Sequence, residues 1–282
     1  MHFDGEIIRS RQNRSVVELC KLTDRKVRER ERLFRFDGIK LLEEAVKNGV
    51  ECTKVFVRAS DAERILGELQ NKCKHIETGN FGRILAIDDE IFDRISEEKS
   101  PEGVICVAKY IDKFQKNVTI YNSADFFNMK NERIVLLESV RDPSNIGAII
   151  RSAAALGIDR LIVSADCADI YHPRAVRASM GTLFNQYVDR VPDLAAVIEG
   201  LKQNGRRVFA AALDERAMRL GDFQLLAGDC VVIGNEGHGL SEETMRACSH
   251  SVIIPMSGRA ESFNAAVAAA LLMWEFSKQT GE

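Results

Sequence analysis

The residues best able to do chemistry fall in three polar clusters of the second half of the chain, each directly after a short apolar run. The first lies within LLESVRDPSNIGAIIRSAAAL, residues 136–156. Here the apolar run 134–137 predicts a buried strand, while Pro143 and Gly147 mark a turn and helix start. Glu138, Arg141, Asp142, Ser144 and Asn145 therefore collect at a strand's carboxyl end, where open α/β sheets place their ligands. Arg151 comes later on the helix, interrupting an otherwise apolar series of Ile146, Ala148, Ile149, Ile150 and Ala153–Ala155. It reads either as a charge held for a purpose or as a snorkelling arginine on a solvated face.

The second cluster is GNEGHGL, residues 234–240, after the run VVI. Three glycines in so short a loop imply positive backbone dihedrals or a close backbone approach by a ligand, with Asn235 and Glu236 at the strand end. A plain glycine-rich turn is the alternative. The third cluster, IPMSGRAESFNA at 254–265, again runs from a strand end toward a helix. Ser262 and Asn264 stand at that helix's start, where side-chain oxygens cap free amides or bind a ligand. Capping accounts for Ser262 and leaves Asn264 over. Three polar strand ends in one half-chain point to a single cleft.

Several chemistries are disfavoured. The glycine spacing G-x-x-G-x-G is not the dinucleotide G-x-G-x-x-G, and no glycine loop ends in Gly-Lys-Ser/Thr. Seven cysteines (Cys20, Cys52, Cys73, Cys106, Cys167, Cys230, Cys248) are widely spaced with no C-x-x-C pair, which argues against zinc and against a disulfide framework.

The elements needed to position these clusters are read from periodicity. A chain of 282 residues, 45% hydrophobic and 29% charged, has room for two soluble domains. It holds no run of membrane-spanning length and no signal-peptide core, so the expectation is a cytoplasmic protein without a membrane partner. A short amphipathic helix at 12–22 precedes a basic stretch. Then come a strand at 34–36, a helix at 38–48, a strand at 54–57, a helix at 61–69, a weak strand at 75–77, a helix at 88–95 and a strand at 103–110. That order predicts a small α/β/α layer over 1–110. Polar residues break the pattern over 111–131, which reads as a linker, and alternation resumes over 132–282 with a mostly parallel sheet covered on both faces. The last helix, expected from Ser262, contains NAAVAAALLMWEF and must be covered on all sides, by the core or by a second subunit.

Net charge is −3, yet residues 9–40 hold eleven Lys/Arg against five Asp/Glu. Arginine dominates, as suits bidentate phosphate contact, so the segment reads as an RNA-binding patch or as a solvated helix face.

The three clusters together carry a resemblance. ESVRDPSNIGAIIRSAAALG, VVIGNEGHGLSEE and IIPMSGRAESFNAAVAAAL are similar to the three ordered motifs of the SpoU/TrmH family of RNA ribose 2'-O-methyltransferases, and RASMGTLF (177–184) to its connecting segment. The resemblance implies a SPOUT fold, a parallel sheet whose C-terminal segment forms a deep trefoil knot holding S-adenosylmethionine. RQNRSVVELCKL and FDGIKLLEEAV are more loosely similar to the L30e-like substrate-binding domain of members that modify ribosomal RNA. It further implies a homodimer with residues of both subunits near one site. Carried over position by position, it makes Arg151 the residue that contacts phosphate or activates the hydroxyl, with Asn145, Glu236, Ser262 and Asn264 positioning it, the RNA and the cofactor loops. Gly234, Ile254, Met256, Phe263 and Asn264 would bind the cofactor, and no metal is implied. The family usually has Ser-Leu-Asn where this chain has Ser262, Phe263 and Asn264.

Two rivals remain. A non-catalytic RNA-binding protein on a knotted dimer scaffold would have no reason to keep Arg151, Glu236, Ser262 and Asn264 together. A nicotinamide oxidoreductase lacks its glycine fingerprint.

Overall fold

In a computed structural model, which describes residues 3–72, 81–214, 217–226, 228–235 and 237–278, the chain divides into two compact units. The first comprises residues 1–111 with 169–185, and the second 112–168 with 186–282. The weak strand expected at 75–77 lies outside the described residues.

The first unit contains β1 (Phe3–Ile8), α1 (Arg14–Lys21), α2 (Arg25–Glu31), β2 (Leu33–Asp37), α3 (Ile39–Lys47), β3 (Cys52–Arg58), α4 (Ala62–Lys72), β4 (Phe81–Ile87), α5 (Asp89–Ile95) and β5 (Val104–Lys109). Its sheet has the order β1-β4-β3-β5-β2, with β1, β4 and β3 parallel and β5 antiparallel to both its neighbours. Sequence periodicity missed β1. Val16, Leu19 and Leu22 join Phe92 and Ile95 over alternate strand residues Phe56, Ile105 and Val107, as a period of two requires. The caps are local: Asn13 Oδ1, Asp24 Oδ1 and Asp88 Oδ1 accept the first free amides of α1, α2 and α5.

The arginines of the basic segment do different work from one another. Arg28 is 1% exposed; its guanidinium donates to Asp169 Oδ2 at 2.6 and 3.0 Å and to the carbonyls of Leu22 and Thr23. Arg35, equally buried, pairs with Asp37 and the Ile95 carbonyl. Arg14 and Arg25 form exposed pairs with Glu18 and Glu29 one turn on. Two of the eleven charges of that segment are therefore internal, each held against a carboxylate and at least one backbone carbonyl.

The second unit contains β6 (Gln115–Asn117), α6 (Ser123–Asn128), β7 (Ile134–Leu137), α7 (Pro143–Ala155), β8 (Arg160–Ser164), and, after α8 (Pro173–Ser179), which belongs to the first unit, β9 (Tyr187–Val191) and α9 (Leu194–Gln203). It ends with β10 (Val208–Ala211), β11 (Met218–Arg219), β12 (Cys230–Ile233), α10 (Glu242–Ala247), β13 (His250–Ile253) and α11 (Ala265–Ser277). All eight strands are parallel, in the order β11-β13-β10-β12-β7-β8-β9-β6.

Ile134, Leu136, Ile162, Val208, Cys230 and Val232 form one inner face under Leu194, Val197, Ile198 and Leu201 of α9 and Phe126 of α6. On the sheet, α11 packs against both α7 and β12. The stretch 111–131 carries more structure than its polar composition suggests. Gln115–Asn117 pairs with β9 as the edge strand, where exposed polar residues are tolerated, and Phe126 and Met129 are buried in the core under α9. Among the described residues no helix is long and apolar enough to cross a membrane.

Removing the buried Arg28 strands Asp169 and two carbonyls, so Arg28→Ala should destabilise the protein by about 3–5 kcal/mol, against at most about 1 kcal/mol for the exposed Arg14→Ala. Urea denaturation of both variants checks this; equal losses would contradict it.

Candidate active site

Because every strand of the larger sheet runs the same way, the segments after β7, β10, β12 and β13 emerge at one edge. Three hydrogen-bonded ties join them. Asn235 Nδ2 donates to the Ser139 carbonyl at 2.8 Å. The Glu138 carboxylate accepts from the Ser241 amide (2.9 Å), Ser241 Oγ (2.8 Å) and Thr244 Oγ1 (2.7 Å). Asn264 Nδ2 donates to Asn145 Oδ1 at 3.0 Å.

The first segment turns sharply. Ser139 has a positive φ of 55°, a conformation that costs an ordinary side chain energy, and it is held there from both sides: its amide donates to Ser164 Oγ and its hydroxyl to Asp166. Burial opposes ionisation of Asp166, but hydrogen bonds from Ser139 and Ser164, with Arg141 adjacent, outweigh it and hold the carboxyl below its usual range. Asp142 then caps α7, accepting from the amides of Ser144 (2.7 Å) and Asn145 (3.0 Å), with Pro143 at the first helical position.

The second segment folds on itself. Asn235 and Gly239 exchange backbone hydrogen bonds of 3.1 and 2.9 Å, while Asn235 Oδ1 accepts from the amides of Gly237 and His238. Gly234 is required by this closure, since a Cβ there would stand 2.4 Å from the Gly239 carbonyl carbon and 2.7 Å from the Leu240 amide. Glu236 lies outside the described residues.

The third segment corrects the expected cap. The helix begins at Ala265, not Ser262, and Asn264 is its N-cap, with Oδ1 accepting from Ala266 (3.0 Å) and Val267 (3.3 Å). Its amide thus has one fixed orientation, the oxygen on α11 and the nitrogen on the first turn of α7. Ser262 and Phe263 remain exposed in the loop before it.

Between the second and third segments lies a cleft of about 540 Å³. Gly234, Ile254, Met256, Ser262 and Phe263 line it, as do Asn235, His238 and Leu240. Its walls are aliphatic side chains and loop backbone, a surface suited to an apolar ring system edged by hydrogen-bonding atoms. Four of the five residues expected to hold a cofactor are in the lining, and the fifth, Asn264, comes directly after Phe263. Sequence reading missed the lining contributed by Ala211 at the end of β10, by Ala212 and Leu213 after it, and by Met245.

Asn145 and Arg151 do not line this cleft. Arg151 is exposed on α7, six residues or about 9 Å along the axis from Asn145, and has no polar partner among the described residues. The buried side of that helix is Ile146, Gly147, Ile149, Ile150 and Ala153. Among the described residues no cluster of His, Cys, Asp and Glu suited to a metal is found, and the thiols of Cys230 and Cys248 are pushed by burial up to about 12.

A parallel α/β sheet whose strand-end loops enclose a cleft is the arrangement in which open α/β proteins bind small ligands. The chain belongs to the SpoU rRNA Methylase family, whose model matches residues 132–274; an MRM3-like substrate binding domain matches 13–106. It is 27% identical over 267 residues to the 23S rRNA (guanosine(2553)-2'-O)-methyltransferase RlmP of Bacillus subtilis (strain 168), covering 95% of this chain and 97% of that one. Over 149 residues it is 40% identical to the 23S rRNA (uridine(2479)-2'-O)-methyltransferase of Streptomyces viridochromogenes, covering 51% of this chain and 52% of that one. Among solved structures, the SpoU methyltransferase AviRb of Streptomyces viridochromogenes in complex with AdoMet superposes with a TM-score of 0.76 at 27% identity, over 95% of this chain and 98% of that one.

Gly234→Ala should cost about 1–3 kcal/mol, because the added methyl meets backbone that cannot rotate away. Denaturation together with amide exchange of residues 234–240 checks it, and unchanged exchange would mean the closure is not needed.

Proposed function

We infer that this protein transfers the methyl group of S-adenosylmethionine to a ribose 2'-hydroxyl of ribosomal RNA. The observation that carries the reading is the cleft between the 234–240 and 254–264 loops, with the Asn264–Asn145 hydrogen bond joining its edge to the helix that bears Arg151. The cleft's size and its mixture of aliphatic wall and free loop backbone fit an adenosine-bearing ligand. Gly234, Ile254, Met256 and Phe263 would hold it, and Asn264 would fix the loop's end. When bound, S-adenosylmethionine supplies an electrophilic methyl on a sulfonium.

A hydroxyl is a weak nucleophile, so the remaining task is to aim the ribose oxygen and to tolerate the phosphate beside it. A guanidinium keeps its charge and offers only donors, so Arg151 serves as the phosphate contact that orients the ribose. Asn145 and Asn264, joined to each other, would set the approach of α7 to the cofactor loops, and the resemblance gives Ser262 and Glu236 a share in that positioning. Phe263 would offer the cofactor a flat apolar face in place of the family's leucine. The non-catalytic alternative is not favoured.

Three further elements of this reading are supported by particular features. A trefoil knot is supported by the path of the chain: β13 lies outside β10, whereas α11 packs back on β12 and α7, so residues 254–264 recross the strand ends. A homodimer is supported by α11, whose Val267, Leu271 and Trp274 form one stripe and are 47%, 36% and 54% exposed. An RNA-selecting role for the first domain, in an L30e-like fold, is supported by the exposed Arg9, Arg11, Lys21 and Lys26, which keep the basic segment's outward charge after Arg28 and Arg35 are internalised. Such an enzyme would work in the cytoplasm, where its ribosomal RNA substrate is found.

Sedimentation at micromolar concentration should show a dimer that Trp274→Glu converts to monomer; a monomeric wild type with full activity would remove the dimer. Arg151→Ala should leave S-adenosylmethionine affinity nearly intact while lowering single-turnover methylation by about 2.7 to 4 kcal/mol, the size expected for losing one preorganised charge-stabilising donor. Loss of cofactor binding, or methylation at the normal rate, would show that Arg151 has another role.

A further inference from the structure

The 234–240 loop forms one side of the cleft, yet both its ends are tied to one residue that does not line it. Glu138 is the residue after β7. Its backbone amide donates to the Ile233 carbonyl at 2.9 Å, immediately before the loop. Its carboxylate takes the other end: Oε2 accepts from the Ser241 amide at 2.9 Å, and Oε1 from Ser241 Oγ at 2.8 Å and Thr244 Oγ1 at 2.7 Å. One residue thus sets the separation of the loop's two ends.

We propose that Glu138 is a positioning residue for S-adenosylmethionine, holding the cofactor loop at the width the ligand needs; this rests on the functional reading above. Helix capping does not account for it. Ser241 Oγ already accepts from the Thr244 amide at 3.1 Å, so the cap of α10 is complete without the carboxylate. Thr244 is 2% exposed, and Glu138 is the acceptor that its hydroxyl uses. Inside the loop, reciprocal backbone bonds join Asn235 and Gly239. Glu138 acts outside that pair, where the loop leaves β12 and where it enters α10. A half-buried carboxylate accepting three charge-assisted hydrogen bonds is a strong tether.

The test is calorimetric titration of the full chain with S-adenosylmethionine and with S-adenosylhomocysteine, without RNA, beside amide exchange. Glu138→Ala should weaken both ligands about tenfold or more, and Glu138→Gln, whose carbonyl oxygen still serves both hydroxyls but whose NH2 cannot accept from the Ser241 amide, should weaken them by less than the alanine variant does. Exchange should quicken at 234–240 in the alanine variant and stay unchanged in β7 and β8. Wild-type affinity in a folded Glu138→Ala overturns the proposal, as does faster exchange across β7, β8 and β12 alike, which would mark a general loss of stability. Should Glu138→Ala fail to fold, Thr244→Val removes one bond at constant shape and should weaken binding about threefold; no change overturns the proposal. A wild type that binds neither ligand would instead remove the functional reading.

Discussion

The constraint on which the site depends is the single direction of the eight strands in the larger sheet. Parallel strands deliver all their carboxyl ends to one edge, so the segments after β7, β10, β12 and β13 converge although they lie up to about 120 residues apart in the chain. Convergence alone makes a crowded rim. What turns it into a shaped cleft is the set of ties from the first segment to the others: Glu138 to Ser241 and Thr244, the Ser139 carbonyl to Asn235, and Asn145 to Asn264. The β7–α7 connection is thus the frame, and the glycine-rich and C-terminal loops are hung on it. Positive φ at Ser139 is the local cost of that frame, offset by the hydrogen bonds to Ser164 and Asp166.

Polar groups divide between architecture and surface in a way that charge counting does not capture. Arg28 and Arg35 are both 1% exposed, Arg28 held by a carboxylate and two backbone carbonyls and Arg35 by a carboxylate and one. Arg160 on β8 likewise joins Glu132 and, on the neighbouring β9, Asp189. By contrast Arg151 lies on the exposed side of α7. The same residue type thus serves as an internal tie at Arg28, Arg35 and Arg160 and stays in solvent at Arg151, a division set by whether a carboxylate stands within reach.

Much of this was legible from the residues because the signals were local. An apolar run leading into polar residues and a proline or glycine marks a strand end, and all three clusters were found that way. Where the outcome depends on tertiary context the reading failed. Ser262 and Asn264 are both good caps, and only the position of α7, whose Asn145 receives the Asn264 amide, selects the second. Ala211, Ala212 and Leu213 line the cleft but carry no polar signal. The pairing of Arg28 with Asp169 spans 141 residues, so no local pattern announces that this charge turns inward. The edge strands β6 and β11 are three and two residues long, too short for alternation to register.

The central claim is chemical: the acceptor is a ribose oxygen and not a base. Purified protein should be incubated with S-adenosylmethionine labelled in its methyl group and with ribosomal RNA lacking the modification, and the RNA then hydrolysed in alkali. Alkaline cleavage needs a free 2'-hydroxyl, so methylation there protects the adjoining 3' linkage. Label in alkali-stable dinucleotides is the predicted result; label released as mononucleotides, marking a methylated base, would contradict it.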